Sequence, residues 1–457
     1  MGPTVLLWYD VEDYITEESD DALLALIEMM EQRGVRGTFK LVGEKARVLQ
    51  ARGRNDILDK LMGQGIGYHT DMHSEHPTIS EYCDPLGFAE GAAEFERREA
   101  GGLADLRRTL PRPVSTYGQP GAAWAAQAFP ALRKWGVPTY VDSNDMIDLD
   151  GGPFWYCGIL TLTLLPGIMR MELEDWGLEN AVAQFDSLLA NGENLISIFY
   201  HPCEFSTVEF WDGVNFSRGM NTPRSQWKRS RLREPGQMEH YVEMLGRFID
   251  HMLARGSRFI TTDELTGNVG FGNPDDYPAV TMEDVRELAG RWRGSANYEQ
   301  CRGSWLCASE AFTLMRAALC GDPLKPFLAY GPERPATTED GAGGTLGDYR
   351  LALASQWRDV MGTPQLPDSF VVNSKRVNPV DMACTVAHIL SAQPPEDRFV
   401  PAVRGTLAPE RHISSNRDFG GKWIIFPEDF MVDRLLETAR LQAWTLKPAV
   451  WVTQERG

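Results

Sequence analysis

Positive charge is in short supply in this sequence. Its 457 residues contain 45 Lys and Arg against 64 Asp and Glu, so the formal net charge is −19. A protein that binds nucleic acid or anionic lipid needs a concentrated basic face, and only the stretch 228–233 is densely basic. We interpret that stretch as a solvated loop. The composition therefore argues against nucleic acid and against a membrane surface as partners.

Paired cysteines and long apolar runs are also missing. The seven cysteines are thinly spread and form no C-x-x-C pair, which is typical of reduced, buried thiols and not of a disulfide framework. No apolar run is long enough to span a bilayer. Strand-like residues begin at Val5, which leaves no room for a secretory signal before them. We therefore expect a cytoplasmic protein without a membrane span.

The chain does contain enough apolar sequence for two hydrophobic cores. With 43% hydrophobic residues, a chain of this length predicts two domains. Up to about residue 270, short β-rich runs alternate with stretches of helical spacing, which predicts an α/β fold of the barrel or layered kind. The predicted strands are 5–9, 37–42, 65–68, 114–117, 139–141, 159–165, 195–200 and 258–261. The predicted helices, each followed closely by a glycine, are 22–32, 123–135, 178–190 and 238–254.

The character of the sequence changes after the turn-forming segment 270–277. Cap and first-turn signals place helix starts at Thr281, Ser309 and Pro379. The stretches 306–319 and 377–390 align without gaps, which indicates a weak internal repeat. We predict a first domain over 1–270 and a mainly helical accessory domain over 281–457, which positions substrate or forms a homo-oligomer.

Histidine is scarce, yet three of the eight histidines fall within the short stretch YHTDMHSEHP. His69 and His73 are four residues apart, so one turn of helix or a tight loop brings both imidazoles to one side. That is the arrangement a divalent metal needs from two nitrogen ligands. The alternative is a pair of surface histidines in a loop. We predict that His69 and His73 are metal ligands.

Three carboxylates follow the first predicted strand, in the sequence LLWYDVEDY. Alternation along an extended strand puts Asp10 and Glu12 on one face and Asp13 on the other. Two carboxylates near one metal can divide their roles, one binding the cation and the other accepting a proton from water. The alternative is an acidic loop leading into the helix start at 17–21.

A further histidine, His201, follows the strongly β-like run LISIFY. It lies just beyond the C-terminal end of its strand, as Asp10, His69, the turn 117–121 and Asp142 do. In βα domains this end of the sheet carries the active site. A buried, hydrogen-bonded structural histidine is the alternative. We predict that His201 belongs to the same site as the candidate metal ligands.

Six short segments along the first predicted domain contain most of the candidate site residues. They are DVED at 10–13, GTFKLVG at 37–43, HTDMH at 69–73, YGQPGAAW at 117–124, VDSNDM at 141–146 and FYHPCEF at 199–205. In sequence, order and spacing they resemble the motifs of the polysaccharide deacetylase (NodB-homology) family of carbohydrate esterases, over about residues 4–270. The resemblance implies a distorted (β/α) barrel and hydrolysis of an N-acetyl group on an amino sugar or glycan precursor, which releases acetate.

The resemblance also implies roles for individual residues. A divalent metal, commonly zinc, is held by two histidines and a carboxylate, here His69, His73 and either Glu12 or Asp13. Asp10 is the base and His201 the acid. The residues expected on the oxyanion and substrate side are Gly121, Tyr117, Trp124 and Asp142.

The sequence departs from the family pattern at two further places. Gly118 stands where the third motif has an arginine that orients the catalytic aspartate, and Met146 stands where the fourth has tryptophan. Two alternative functions follow. One is a catalytically inactive carbohydrate-binding homologue, and the other is an amidohydrolase acting on a small non-sugar amide.

Overall fold

Nine strands form the framework of the N-terminal part. A computed structural model describes residues 2–141, 144–162, 170–267 and 270–452. The strands are β1 (Thr4–Val11), β2 (Thr38–Leu41), β3 (Gly65–Tyr68), β4 (Val114–Tyr117), β5 (Thr139–Val141), β6 (Phe154–Tyr156), β7 (Ile159–Leu162), β8 (Leu195–Tyr200) and β9 (Arg258–Ile260). All eight predicted strands are present, and β6 is additional. Residues 163–165 of the predicted 159–165 strand lie outside the described part.

These strands make one sheet, in which β1 pairs with three neighbours, β2, β8 and β9. The order is β6-β7-β5-β4-β3-β2-β1-β8, and β9 also pairs with β1. Neighbours are parallel except β6 and β7. Strand β1 is buried along almost its whole length, as expected for a parallel strand covered on both faces. The predicted α/β fold, a distorted (β/α) barrel, is confirmed. Among the described residues no pairing joins β8 to β7, so the barrel is open there.

Among the residues that the structure describes, ten α-helices connect and cover these strands. They are α1 (Glu18–Gln32), α2 (Gly43–Ala51), α3 (Asn55–Leu61), α4 (Ile79–Cys83), α5 (Phe88–Thr109), α6 (Ala128–Lys134), α7 (Gly177–Ala190), α8 (Pro202–Ser206), α9 (Trp211–Phe216) and α10 (Gln237–Ala254). The predicted 123–135 helix starts only at Ala128. Tight turns precede it, in which the N–H groups of Ala123 and Trp124 donate to nearby carbonyls.

The C-terminal part combines helices with very short strands. Its helices are α11 (Met282–Arg291), α12 (Ala308–Cys320), α13 (Leu346–Leu353), α14 (Pro379–Ala392) and α15 (Arg434–Leu441). Its strands are β10 (Ser295–Ala296), β11 (Glu299–Cys301), β12 (Ser304–Leu306), β13 (Gly343–Gly344), β14 (Arg358–Val360), β15 (Thr363–Gln365), β16 (Phe370–Val372), β17 (Lys375–Val377), β18 (Val400–Pro401), β19 (Thr406–Leu407) and β20 (Lys447–Pro448). None of the described helices is both long and apolar enough to cross a membrane.

Each of the two repeat-like stretches begins with the last residue of a β-hairpin and continues into a helix. Hairpin β11–β12 precedes α12, and hairpin β16–β17 precedes α14. Both hairpins turn through two residues with positive φ, Arg302 and Gly303 in the first and Asn373 and Ser374 in the second. This is the turn whose twist matches antiparallel strands. The repeated unit is therefore a hairpin plus a helix, not a helix alone.

The C-terminal part returns to the barrel. Strand β20 pairs antiparallel with β6 in the main sheet. The ammonium of Lys447 in β20 forms a buried ion pair with Glu310 at 2.8 Å, which links the returning strand to α12. The division into domains at 270–281 stays a prediction.

Candidate metal centre

Three predicted ligands meet beyond the C-terminal ends of β1 and β3. Ligand atoms of Glu12, His69 and His73 lie within 4.8 Å of one another, and all three residues are buried. Glu12 Oε2 is 3.4 Å from His69 Nε2 and in direct contact with His73 Nε2. Strand β1 ends at Val11, so Glu12 projects from the strand end on the same side as Asp10.

The loop after β3 holds its two histidines in defined orientations. Thr70 and His73 both have positive φ, so residues 69–73 form a tight loop and not a helical turn. The Nδ1 atom of His69 is 2.9 Å from the carbonyl oxygen of Gly118. Because a carbonyl can only accept, Nδ1 carries the proton and Nε2 keeps its lone pair. The Nδ1 atom of His73 shares a hydrogen bond with Ser74.

The group fits a divalent cation. Glu12 Oε1 is buried and has no hydrogen-bond partner among the described residues, and the only polar atom that His73 Nε2 contacts there is Glu12 Oε2. Burying such atoms without a partner is unfavourable unless something binds them. Burial raises the pKa of Glu12, but the neighbouring His73 and His201 charges lower it well below its usual range. Two imidazole nitrogens and a carboxylate are a donor set typical of zinc.

Asp13 lies outside this group. Its Oδ1 atom accepts hydrogen bonds from the backbone N–H groups of Ile15 and Thr16, both at 2.9 Å. Its carboxylate therefore shapes the turn that leads into α1. Of the two carboxylates considered from the sequence, the structure brings Glu12 to the histidines.

Asp10 faces the group from within β1. Its Oδ1 atom is 3.7 Å from His69 Nδ1 and 2.9 Å from the ammonium of Lys40. Lys40 is in β2 and is 1% exposed. Lys40 was not predicted as a site residue. The signal in the sequence was a lysine between Phe39 and Leu41, in the middle of a buried strand.

His201 lies on the other side of Asp10. Its Nδ1 atom is 2.9 Å from Glu204 Oε2, and its Nε2 atom is 3.8 Å from Asp10 Oδ2. Burial lowers the pKa of His201, but the charges of Glu12 and Glu204 outweigh it and raise that pKa to about 9. In the metal-free protein this pKa favours the protonated ring at neutral pH, and Glu204 orients it.

The structure describes three of the four residues predicted on the oxyanion and substrate side. Tyr117 and Trp124 are fully buried, with their rings packed against other aromatic rings of the barrel core. Their side chains have no exposed surface in this structure, and their assignment to the substrate side stays a prediction. Gly121 lies in the turn after β4 with φ +44°. Asp142 is outside the described residues.

A tryptophan from the C-terminal part reaches the site. The Trp423 ring packs edge-on against His73, with 5.6 Å between ring centroids. Its Nε1–H donates to Asp212 at 2.8 Å. A Cβ on Gly121 would lie 2.3 Å from this indole, so Gly121 makes room for it. Beside it, Lys422 pairs with Asp145 at 2.7 Å. No local sequence signal links these residues.

Glu99 of α5 holds the 69–73 loop and the residue before it through two hydrogen bonds. Its Oε2 atom accepts from the Asp71 backbone N–H at 2.8 Å and from the Tyr68 hydroxyl at 2.7 Å. Burial raises the pKa of Glu99 from 4.5 to about 7. The fold therefore favours the protonated carboxyl. Its contribution to stability is complete below about pH 4.5 and is lost as the pH rises through about 7.

We expect the Glu99→Gln variant to lack this pH dependence, because the amide oxygen can accept the same two hydrogen bonds without titrating. Between about pH 5 and 8 the wild-type free energy of unfolding should fall relative to that of the variant by at most about 3 kcal/mol. Urea unfolding of the metal-free proteins across this range measures the difference. Parallel pH dependences would show that Glu99 does not titrate as described.

Comparison with known proteins gives weak structural neighbours. No family model and no curated protein matches the chain. It is similar to the CE4 domain of a multidomain xylanase from the hindgut metagenome of Trinervitermes trinervoides, with 13% identity over 58% of this chain and 89% of that chain and a TM-score of 0.32. It is also similar to a family 4 carbohydrate esterase from Streptomyces lividans, with 15% identity over 56% of this chain and 90% of that chain and a TM-score of 0.31. A third similar structure is that of a CE4 family pseudoenzyme from Bacillus anthracis, with 13% identity over 58% of this chain and 65% of that chain and a TM-score of 0.33. Similarity at this level says nothing about activity or substrate.

Proposed function

We propose that this protein is a metal-dependent hydrolase that removes the acetyl group from an N-acetylated amino sugar or glycan precursor. The observation that carries the proposal is the buried Glu12–His69–His73 group, with Asp10 and His201 beside it. Each of these five residues was assigned to the site by its position after a strand or within the HTDMH stretch. Zinc is the metal that best suits the two nitrogens and one carboxylate.

The residues around the group have complementary proton-transfer roles. The chemistry that a divalent cation supplies when bound there is polarisation of a carbonyl group and a lower pKa for water. The Asp10 carboxylate is close to the group, so it can accept the proton that water loses as it attacks the acetyl carbon. His201 is protonated and fixed by Glu204, so it can donate a proton to the departing nitrogen. Acetate and a free amine result.

The turn after β4 supports the same chemistry. Gly121 has a backbone conformation that disfavours side chains, and it lies beside the Trp423 indole, which packs against His73. A backbone N–H in this turn is the candidate donor to the oxyanion formed at the acetyl carbon. Trp423 gives the C-terminal part a role in positioning substrate. This contact favours that role over one restricted to forming a homo-oligomer.

Metal-dependent acetate release tests the proposal. Purified protein should keep about one divalent metal per chain after desalting and should release acetate from N-acetylglucosamine oligomers. Chelation should abolish the release, and adding zinc back should restore it. Small non-sugar amides serve as the comparison substrates. A protein that retains no metal and releases no acetate would be an inactive homologue, and hydrolysis of the small amides alone would identify a different amidohydrolase.

A further inference from the structure

The interior of the barrel contains a charged side chain that the proposed chemistry leaves without a role. Lys40 lies in the middle of β2, and its side chain is 1% exposed. Transferring an ammonium group from water to such a place is unfavourable unless close partners compensate. The groups that contact the Lys40 ammonium therefore indicate its role.

The register of the sheet places Lys40 in one row with Asp10. Asp10 in β1 is opposite Lys40 in β2, and Lys40 is opposite Gly67 in β3. Residues opposite each other in neighbouring parallel strands point to the same face. In this row Asp10 and Lys40 direct a carboxylate and an ammonium into the barrel interior, and Gly67 has no side chain.

Two glycines create the space that the lysine fills. A Cβ on Gly67 would lie 2.6 Å from Lys40 Cγ, and a Cβ on Gly118 would lie 2.2 Å from Lys40 Nζ. Neither distance is compatible with a side chain at these positions unless Lys40 moves. Gly118 is the position at which the sequence lacks the arginine of the third motif. The space left by that missing side chain is occupied by the Lys40 ammonium.

The ammonium makes three contacts in this space. It is 2.9 Å from Asp10 Oδ1, it donates to the Val141 carbonyl at 3.3 Å, and it lies 4.1 Å from the centroid of the Trp8 ring. A carbonyl and an aromatic face orient a cation without neutralising it. Asp10 is the partner of opposite charge in this set.

We propose that Lys40 is a positioning residue, which holds the Asp10 carboxylate in the orientation needed to accept a proton. It acts from a neighbouring strand in place of a cation attached at position 118. The inference rests on the proposed function for its kinetic consequence, whereas the pairing itself can be tested without any substrate.

The kinetic test compares Lys40→Met with Lys40→Arg. Loss of the cation should lower kcat by about 100-fold, because small displacements of a reacting group have effects of this size. KM and bound metal should stay nearly unchanged, since Lys40 contacts neither the substrate site nor the metal group. Lys40→Arg should recover part of the lost kcat because it keeps a cation near Asp10. Wild-type kcat in Lys40→Met would overturn the inference while leaving the proposed function intact.

Lys45 provides a matched control. It is equally buried and forms an ion pair with Asp20 at 2.6 Å, but it does not face Asp10. Lys45→Met should lower the melting temperature while kcat of the folded enzyme is retained. If Lys40→Met and Lys45→Met lower kcat equally, the effect of Lys40 is a general consequence of losing a buried charge, and the inference fails.

A double-mutant cycle tests the pairing independently of activity. The effect of Lys40→Met on the unfolding of the metal-free protein should be smaller in an Asp10→Asn background than in the wild type, because the variant has already lost the charge that Lys40 pairs with. Equal effects in both backgrounds would overturn the inference. This result would hold even if the wild-type protein hydrolysed no acetylated sugar, an outcome that would contradict the proposed function alone.

Discussion

Replacing Glu12 by glutamine is expected to abolish tight binding of a divalent metal. The amide keeps the shape of the side chain but loses the negative charge that lies between the two histidine nitrogens. Even partners outside the ligand sphere commonly contribute about 10- to 100-fold to metal affinity, so loss of a ligand should weaken binding by at least about 100-fold. Metal content after desalting and titration with a competing chelator measure the change, and acetate release should disappear with the metal.

Asp13→Asn is the matched control for this experiment. Asp13 is the neighbouring buried carboxylate, and its Oδ1 atom accepts two backbone hydrogen bonds that an asparagine oxygen can also accept. This variant should retain its metal. If Asp13→Asn loses the metal while Glu12→Gln keeps it, the ligand assignment is wrong and the loop after β1 must rearrange when the cation binds.

Local patterns were sufficient to predict the part of the site that lies on β1 and β3. Period-two alternation places Asp10 and Glu12 on one face because β1 runs extended to Val11. The pair His69 and His73 needed only a short loop to converge. These predictions depend on the conformation of a few consecutive residues. Such short-range geometry follows from sequence more directly than contacts between distant segments.

The partner of Asp10 could not be identified in this way. The run GTFKLVG was correctly predicted as a strand, but the neighbour of Lys40 is decided by the register between β1, β2 and β3. Of the two glycines that make room for Lys40, Gly67 is on β3 and Gly118 directly follows β4. Without the sheet order, Gly118 indicated only a missing arginine. With it, Gly118 marks the space that another cation fills.

The long helix α5 shows how tertiary packing can outweigh local propensity. No helix was predicted over 88–109, where Gly91, Gly101 and Gly102 weaken the helical signal. Yet a Cβ on Gly102 would lie 2.6 Å from the Tyr68 hydroxyl oxygen and 2.5 Å from Asp71 Oδ1. The glycine that lowers helix propensity therefore lets α5 approach the loop that carries His69 and His73. Its buried face, and not its intrinsic preference, stabilises the helix.

The origin of Trp423 could not be predicted for a different reason. Met146 stands where the resemblance implies a tryptophan, and nothing near position 146 predicts that an indole from elsewhere in the chain lies close by. The indole beside His73 comes from the C-terminal part, far away in sequence. No periodic pattern in the sequence around Trp423 predicts that it lies beside His73. Only the folded structure shows this contact.

Replacing Asp10 by asparagine is expected to lower kcat by about 10²- to 10⁴-fold, the usual contribution of a positioned acid or base. The substitution preserves size and removes the ability to accept a proton. Metal content should stay close to that of the wild type, because Asp10 is not in the Glu12–His69–His73 group. Steady-state acetate release, with metal content measured on the same samples, checks the prediction.

The comparison with Glu12→Gln makes the outcome decisive. Both variants should be nearly inactive, but only Glu12→Gln should lose its metal, which separates the base from the ligand. Wild-type activity in Asp10→Asn would show that another group accepts the proton. In that case the ion pair between Asp10 and Lys40 would have a structural role only, and Lys40→Met should then lower stability without lowering kcat. Since the two residues share one contact, the kinetics of either variant constrain the role of the other.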